Sequence, residues 1–257
     1  MSVRHGLVIV LLVTCALLLC SPTAQAVVVR GYGTANLIGS DLTDPNNNIN
    51  DNVPGSLPYR GTGYDFVSAN ASSELYFTPG GGSEGALDLF DNKVGGGEAK
   101  WCCNGVPSGA AADLNNLTIG QWVQVTLPEK YALTRFTIAS DNDSGDTRDP
   151  DQWRILGSND GVNFTSIFTY NNNGTSPFTL GGGSLENKVL QYDAGIDFPA
   201  PNMYNTFRFQ AFSVGSSGAF GLSELEFYGV LPEPSTLALF GVGGCAAIMW
   251  FARKRRA

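Results

Sequence analysis

The residues that most often act in catalysis are scarce in this sequence. Histidine, the usual general base and zinc ligand, occurs once in 257 residues, as His5. We expect His5 to be removed with an amino-terminal signal, which leaves no histidine for a Ser-His-Asp or Cys-His nucleophile, a zinc site or a His-Glu metalloprotease helix. The one hydrolytic scheme that this inventory permits is a glycosidase built on two carboxylates.

Cysteine chemistry is also restricted. Three of the five cysteines lie in the terminal segments, and the other two, Cys102 and Cys103, are adjacent. Adjacent cysteines close only a strained ring, so they cannot link distant parts of one chain. A vicinal disulfide, a reduced pair and an intermolecular link all remain open, and we favour the vicinal disulfide in an oxidising compartment. A metal site on this pair would lack further Cys or His ligands.

Carboxylates are the abundant reactive groups. The net charge is −8, and residues 27–230 alone carry −12. The charged residues outside that range are Arg4, Arg253, Lys254, Arg255, Arg256 and Glu233. This charge argues against nucleic-acid binding, which needs basic clusters to displace counterions. In an exported protein, acidic loops instead favour divalent cations, above all Ca²⁺.

One loop, residues 141–149, combines acidic and basic side chains suited to hydroxyl groups. It contains Asp143, Arg148 and Asp149. Arginine and carboxylate side chains form bidentate hydrogen bonds, and vicinal hydroxyls of a sugar suit such pairs. We therefore predict these three residues as ligand-binding. The alternative is that Arg148 and Asp149 pair locally and fix the loop.

Residues 1–26 have the organisation of a secretory signal peptide. Arg4 and His5 precede an apolar run of 14 residues from Leu7 to Cys20, and small residues follow at Ala24 and Ala26. The run is shorter than the roughly 20 residues that span a bilayer, which argues against a retained anchor. We predict a signal helix that is cleaved after Ala26.

The carboxyl-terminal residues 231–257 have three parts in a fixed order. Pro232-Glu233-Pro234 is followed by an apolar segment, residues 237–252, and then by a basic cluster. Sixteen helical residues span about 24 Å, less than the roughly 30 Å hydrocarbon core, although thinning or snorkelling can compensate. A plain single-pass anchor is one reading of this tail.

The combination resembles the PEP-CTERM sorting signal of Gram-negative bacteria with polysaccharide-rich envelopes. The resemblance implies a hydrophobic helix that holds the chain transiently in the inner membrane. It also implies processing by an exosortase near Pro232-Glu233-Pro234, then release or attachment at the cell surface or in the extracellular matrix.

Residues 27–230 read as one domain of short strands. In one run, Phe207, Phe209 and Ala211 alternate with Arg208 and Gln210, as on a half-buried strand. The predicted strands are Val27–Ile38, Trp122–Leu127, Leu133–Ala139, Trp153–Ser158, Phe164–Tyr170, Lys188–Tyr192, Thr206–Phe212 and Leu222–Tyr228. Loops rich in Gly, Asn and Asp separate them, and no window has a persuasive helical period. The pattern predicts an all-β, antiparallel β-sandwich.

Several segments, in order, resemble a discoidin domain (coagulation factor 5/8 C-terminal type), a galactose-binding-like jelly roll. They are Ala71-Ser72-Ser73-Glu74, Leu89-Phe90-Asp91-Asn92-Lys93, Lys100-Trp101, Gln121–Leu127, Leu133–Phe136, Arg148–Gly161 and Leu222–Gly229. The resemblance covers residues 69–229, and the run from Trp153 to Gly161 is its most specific part. Independently, Asn159-Asp160-Gly161 between two apolar runs predicts a hairpin turn. We expect Trp101, Trp122 and Trp153 to fill the core.

The resemblance also implies a structural calcium site. Carried over to this sequence, it consists of the Asp91 and Glu224 side chains, with main-chain carbonyls near Lys93 and Ala99. Asn92 stands where the family usually has glycine, and Ala99 where it has threonine. An empty, solvated loop is the alternative. Hard oxygen ligands in a flexible loop suit Ca²⁺ chemically.

These observations predict a non-catalytic, exported surface or matrix protein whose discoidin-like domain binds carbohydrate, in particular extracellular polysaccharide. The alternative is a structural or adhesion protein that binds another protein. A carboxylate-based glycosidase is the least favoured class, because no motif marks a catalytic acid pair. The expected partners are a glycan, an exosortase and, before processing, the inner membrane.

Overall fold

The structure is a computed structural model. It describes residues 27–39, 41–43, 67–73, 84–95, 100–103, 117–143, 147–172, 174–215 and 219–231. The signal peptide, Pro232-Glu233-Pro234, the apolar segment 237–252 and Ala99 lie outside the described residues, so the two terminal helices stay predictions. Within the described ranges, the structure has no helix whose length and hydropathy would allow it to cross a membrane.

Ten strands make up the described fold. They are β1 Val28–Tyr32, β2 Ser68–Ala71, β3 Trp101–Cys103, β4 Gln121–Ala139, β5 Pro150–Ser158, β6 Phe164–Asn171, β7 Lys188–Asp193, β8 Met203–Val214, β9 Phe220–Leu222 and β10 Glu224–Val230. Short 3₁₀ turns occur at Thr34–Asn36, Ala86–Phe90 and Pro177–Thr179. The all-β prediction is confirmed.

The main sheet has the order β1-β7-β4-β8-β5-β6, with β2 and β10 also paired to β4, while β3 and β9 form a separate pair. Every ladder between these strands is antiparallel. Because four strands pair with β4, this strand organises the whole sheet.

β4 joins the two predicted strands Trp122–Leu127 and Leu133–Ala139 into one. Its first half pairs with β2 and β8, and its second half pairs with β7 and β10. The register against β8 shifts between Thr126 and Tyr131, where residues 128–130 are exposed. Phe136 in the second half lies 5.9 Å, between ring centroids, from Trp153 on β5. The sheet therefore curls until its two halves face each other across a core.

Aromatic rings fill this core. Trp153 is fully buried, and ring centroids of Phe168, Phe209 and Tyr192 lie 5.1, 5.5 and 5.6 Å from its own. Trp101 is also fully buried, 4.9 Å from Phe220. Edge-to-face and tilted contacts of this kind are favourable beyond the area they bury. The predicted core positions of Trp101 and Trp153 are confirmed.

The core position expected for Trp122 is wrong. Val123 and Val125 point into the core, so strand alternation directs Trp122 to the outer face of the sheet. There the guanidinium of Arg208 lies 4.3 Å from the Trp122 ring centroid and 4.4 Å from that of Phe164. Trp122 is half-buried in this cation–π stack.

The predicted hairpin turn joins β5 and β6 through residues 159–163. Gly161 has a left-handed φ of 70°, which glycine adopts without strain. Asp160 Oδ1 accepts hydrogen bonds from the main-chain N–H groups of Val162 (2.9 Å) and Asn163 (2.7 Å). The hydrogen bonds from Asn163 and Val162 hold the pKa of Asp160 well below its usual value.

The strand ends define two opposite ends of the domain. At one, the tail end, β10 finishes at Val230 beside the turn 159–163 and the β7–β8 connection 194–202. At the other, the loop end, β10 starts at Glu224, which pairs with Ala139 just before loop 140–149. The candidate site residues lie at the loop end.

Candidate functional site

The structure brings Asp91 and Glu224 together although they are far apart in sequence. Asp91 ends the 3₁₀ turn Ala86–Phe90, and Glu224 begins β10. Glu224 accepts hydrogen bonds from the main-chain N–H groups of Asn92 (3.3 Å to Oε1) and Lys93 (3.2 Å to Oε2). The turn and the last strand are thereby tied to each other.

Asn92 has a left-handed backbone, with φ of 57°. Few residues with a side chain adopt this conformation, whereas glycine, which the resemblance leads us to expect here, adopts it without strain. Asparagine is among the few that do. Asn92 is therefore compatible with the left-handed turn that it forms here.

Burial and like charge shape the electrostatics of this pair. Both side chains are about 1% exposed. Burial raises the pKa of Asp91 to about 6, although Lys93 partly opposes the shift. Burial also raises the pKa of Glu224 well above its usual value, and the negative charges of Asp91, Glu226 and Asp41 add to the effect.

These residues fit a hard cation. The Oδ2 atom of Asp91 is buried and accepts no hydrogen bond, and it forms an ion pair with the Lys93 ammonium at 3.3 Å. Two buried carboxylates with one such oxygen are ligands that Ca²⁺ prefers. Among the described residues, no three His, Cys, Asp or Glu side chains are placed so that they could hold a metal ion together, so a cation here would also need main-chain oxygens.

A second polar cluster lies in loop 140–149. Asp143 Oδ2 accepts hydrogen bonds from Arg148 Nη1 at 2.9 Å and from Lys100 Nζ. Lys100 also donates to Asn142 Oδ1 at 3.1 Å and forms an ion pair with Glu84 at 3.5 Å. Arg148 thus pairs with Asp143, five residues away, where the sequence suggested Asp149.

The charges of this cluster support one another. The hydrogen bond from Lys100, reinforced by Arg148, holds the pKa of Asp143 below its usual value. Burial alone would lower the pKa of Lys100, but the hydrogen bond to Asp143 and the charge of Glu84 raise it. The ammonium and the carboxylate therefore both stay charged near neutral pH.

The side chains of the three residues predicted to bind ligand differ in solvent exposure. The side chains of Asp143 and Arg148 are 43% and 27% exposed. Asp149 is fully buried, and its carbonyl accepts a hydrogen bond from Gly215 N at 3.3 Å. Lys100 was not predicted as a site residue, because only the pairing of β3 with β9 brings its segment to this loop.

Asp141 lies beneath this cluster. Its side chain is fully buried, and Oδ1 accepts a hydrogen bond from Asp143 N at 3.1 Å. Its Oδ2 lies against Gly221, where any Cβ would collide with it. Burial raises the pKa of Asp141 to about 6.

Cys102 is buried on β3, opposite Gly221 of β9, and is not paired with another cysteine among the residues whose side chains the structure describes. Burial raises its pKa, with a smaller contribution from Glu84. The side chain of Cys103 lies outside the described residues. The vicinal disulfide therefore stays a prediction.

Two parts of the chain match known family models. Residues 68–189 match the F5/8 type C domain, and residues 230–256 match the PEP-CTERM protein-sorting motif. This protein carries an F5/8 type C domain and a PEP-CTERM motif. The suspected resemblance is thereby confirmed, and the sorting motif indicates an exported protein of the cell surface or extracellular space. A search of curated proteins gave no match.

Several solved structures of carbohydrate-binding modules are similar to the F5/8 type C domain of this chain. A Clostridium perfringens module in complex with GalNAc-β-1,3-galactose has 17% identity and a TM-score of 0.41, and the alignment covers 63% of this chain and 94% of the module. A chitosan-binding module from Paenibacillus sp. IK-5 has 20% identity and a TM-score of 0.40, with 64% and 96% covered. The family 32 module of C. perfringens NanJ, in complex with galactose, has 18% identity and a TM-score of 0.38, with 62% and 91% covered.

Proposed function

We propose that this protein is a non-catalytic surface or matrix protein whose F5/8 type C domain binds extracellular polysaccharide. The observation that carries the proposal is the accessible pair of Asp143 and Arg148 at the loop end. Both side chains keep hydrogen-bonding capacity toward solvent while their ion pair fixes their positions. A carboxylate and a guanidinium held side by side suit adjacent hydroxyl groups of a sugar.

Lys100 contributes to this site as a positioning residue. Its ammonium lies beneath Asp143, with 2% of the side chain exposed, and holds the carboxylate from the inside of the loop. Asp149 is left out of the proposed contacts because it is buried. A ligand would thus meet a site already ordered before it binds, which lowers the entropic cost of binding.

The proposed cofactor is one structural Ca²⁺. The Asp91 and Glu224 side chains would hold it, together with main-chain carbonyls near Lys93 and Ala99. The ion would offset the charge of the buried carboxylates and join the turn after Phe90 to the last strand. It has no catalytic role in this proposal.

The proposed location follows from the sorting motif. The chain would be exported, held transiently in the inner membrane of a Gram-negative bacterium and processed by an exosortase near Pro232-Glu233-Pro234. It would then reside at the cell surface or in the extracellular matrix. The expected glycan partner is the polysaccharide of that matrix.

Binding of the full chain to a panel of polysaccharides, measured by affinity electrophoresis, tests the function. The panel includes the matrix polysaccharide of the producing cell. D143N and R148Q are expected to lower the affinity at least about tenfold, or roughly 1.4 kcal/mol. D160N, an exposed acidic change at the tail end, is the matched control and should bind like the wild type.

Three results would contradict the proposal. Equal affinity of D143N, R148Q and wild type would show that the polysaccharide does not bind at Asp143 and Arg148, provided that circular dichroism shows all three folded. Failure of the wild type to bind any polysaccharide would favour the protein-binding alternative. Release of reducing sugar would identify a glycosidase.

A further inference from the structure

The large apolar side chains that remain exposed are gathered at one end of the domain. Among the described residues, the five most exposed large apolar side chains are those of Val67, Val162, Ile196, Val230 and Leu231, each 48–70% exposed. The other three, on β1 and near its edge, are only 40–43% exposed. Scattered exposed apolar residues are normal, but a group on one surface often marks an interaction site.

Strand pairing shows that these five residues surround the tail end. Met203, which follows the connection carrying Ile196, and Val230 both pair with Ala132, from opposite sides. The turn carrying Val162 contacts the same place, since Asn159 Nδ2 donates to the Met203 carbonyl at 3.0 Å. Val67 N donates to the Thr126 carbonyl at 2.6 Å, and Thr126 pairs with Thr206, three residues from Met203.

The chain leaves the domain from this same surface. Leu231 is the last described residue, and only residues 232–236 separate it from the apolar segment 237–252. Fully extended, five residues reach at most about 18 Å. While the tail is intact, the tail end must therefore stay within about 18 Å of whatever holds that segment.

The candidate site residues lie at the other end. Glu224 is six residues from Val230 along β10, which corresponds to about 20 Å of strand. Ala139, its partner, leads directly into loop 140–149 with Asp143 and Arg148. The surface next to the tail and the loop end therefore face opposite directions.

We propose that the tail end of the uncleaved protein lies against the lipid bilayer, with Val67, Val162, Ile196 and Val230 at its surface and the loop end directed outward. This inference rests on the membrane stage given under the proposed function. It assigns the domain a fixed orientation in which the loop end can meet matrix polysaccharide before processing.

Charge and tether length determine what kind of contact this is. Among the described residues, the charged side chains on the turns at the tail end are Glu129, Lys130, Asp160 and Asp197, a net negative set that anionic headgroups do not attract. A few apolar side chains alone bind a bilayer only weakly. A tether of five residues, however, confines them to high effective concentration at the membrane. The contact should therefore depend on tether length and not on anionic lipid.

Hydrogen exchange of the full chain in phosphatidylcholine nanodiscs tests the orientation. The matched control is the same chain with 30 Gly/Ser residues inserted after Leu231. At native tether length, peptides covering 159–163 and 194–202 are expected to exchange at least about threefold more slowly than in the control. Peptides covering 140–143 and 147–149 should exchange equally in both. The double variant V162S/I196S should lose most of the protection at the tail end.

The other possible outcomes each contradict the proposed orientation. Equal exchange at the tail end in both tethers overturns the orientation alone, provided that the chain co-elutes with the nanodisc. Slow exchange that requires added exosortase replaces lipid with that enzyme as the partner. Failure of the chain to enter nanodiscs overturns both the membrane stage and the orientation, while polysaccharide binding can still succeed independently.

Discussion

The carboxylates of Asp91 and Glu224 accept hydrogen bonds from the same main-chain N–H, that of Lys93, at 3.1 and 3.2 Å. One donor thus serves two buried acidic groups from distant parts of the chain. Ionising both carboxylates here is unfavourable, because burial and the charge of Asp91 raise the pKa of Glu224, and Lys93 offers only a partly exposed ammonium in return. A cation between them would offset this unfavourable ionisation.

Calcium is therefore expected to stabilise the protein. At a concentration about 100 times its Kd, a ligand adds about 2.7 kcal/mol, which for a domain of this size raises Tm by roughly 5–10 °C. D91N and E224Q should lose this shift, and D160N should keep it. Thermal unfolding with calcium and with EDTA measures it. A shift that persists in D91N would place the ion elsewhere.

Asp141 should make stability depend on pH. Its pKa is raised from 3.8 to about 6 in the folded state, so the folded state holds the proton more tightly. The free energy of unfolding should therefore fall as pH rises from about 4 through 6, by an upper limit of about 3 kcal/mol from this group. Urea unfolding in EDTA at pH 5 and pH 8 measures the difference. D141N should show a smaller difference than the wild type, and parallel profiles would refute the assignment.

Substitution of the buried Lys188 should lower the stability of the folded protein. The buried ammonium of Lys188 donates to the carbonyls of Phe178 and Gly182, both at 2.8 Å, and of Leu180. K188M would leave these carbonyls without their donor, at about 1–3 kcal/mol for each one that stays buried. Of the three acceptor residues only Phe178 is buried, so we expect a loss of about 1–3 kcal/mol by urea unfolding. K130M, on the exposed bend of β4, should stay within about 0.5 kcal/mol of wild type.

The stack of Arg208 between Trp122 and Phe164 should contribute measurably to stability. W122L keeps an apolar side chain but removes the ring face, and we expect a cost of about 1–2 kcal/mol. Y32L removes an exposed ring that takes part in no such stack, together with its hydrogen bond to the Gly182 carbonyl at 3.2 Å, and serves as control. A double-mutant cycle of W122L with R208M should give a coupling energy clearly above zero. Additive effects of the two changes would show that the stack is only packing.

Alternation along the chain was enough to predict the sandwich. Phe207, Phe209 and Ala211 alternate with polar residues as expected, and all three are buried. The same rule, applied strictly, also explains the error at Trp122, whose parity opposes that of Val123. The resemblance had favoured the core there, and strand parity proved the better guide.

Contacts set by the tertiary fold could not be predicted in this way. Nothing local distinguishes Asp143 from Asp149 as the partner of Arg148, because the choice depends on Lys100, which is distant in sequence and also donates to Asp143. The continuity of β4 was also hidden, since Pro128, Glu129 and Lys130 resemble a loop in sequence. By contrast, Asp91 and Glu224 were predicted by resemblance and do converge.

The position of β10 bears on when the domain can fold. β10 pairs with β4, the most connected strand, and contributes the buried Leu225 and Phe227. In a chain translocated amino terminus first, these residues emerge last, so the core stays open until almost the whole domain has crossed. In such a chain, the apolar segment that begins at residue 237 would follow β10 into the translocation channel. Arrest of the chain and closure of its core would thus coincide.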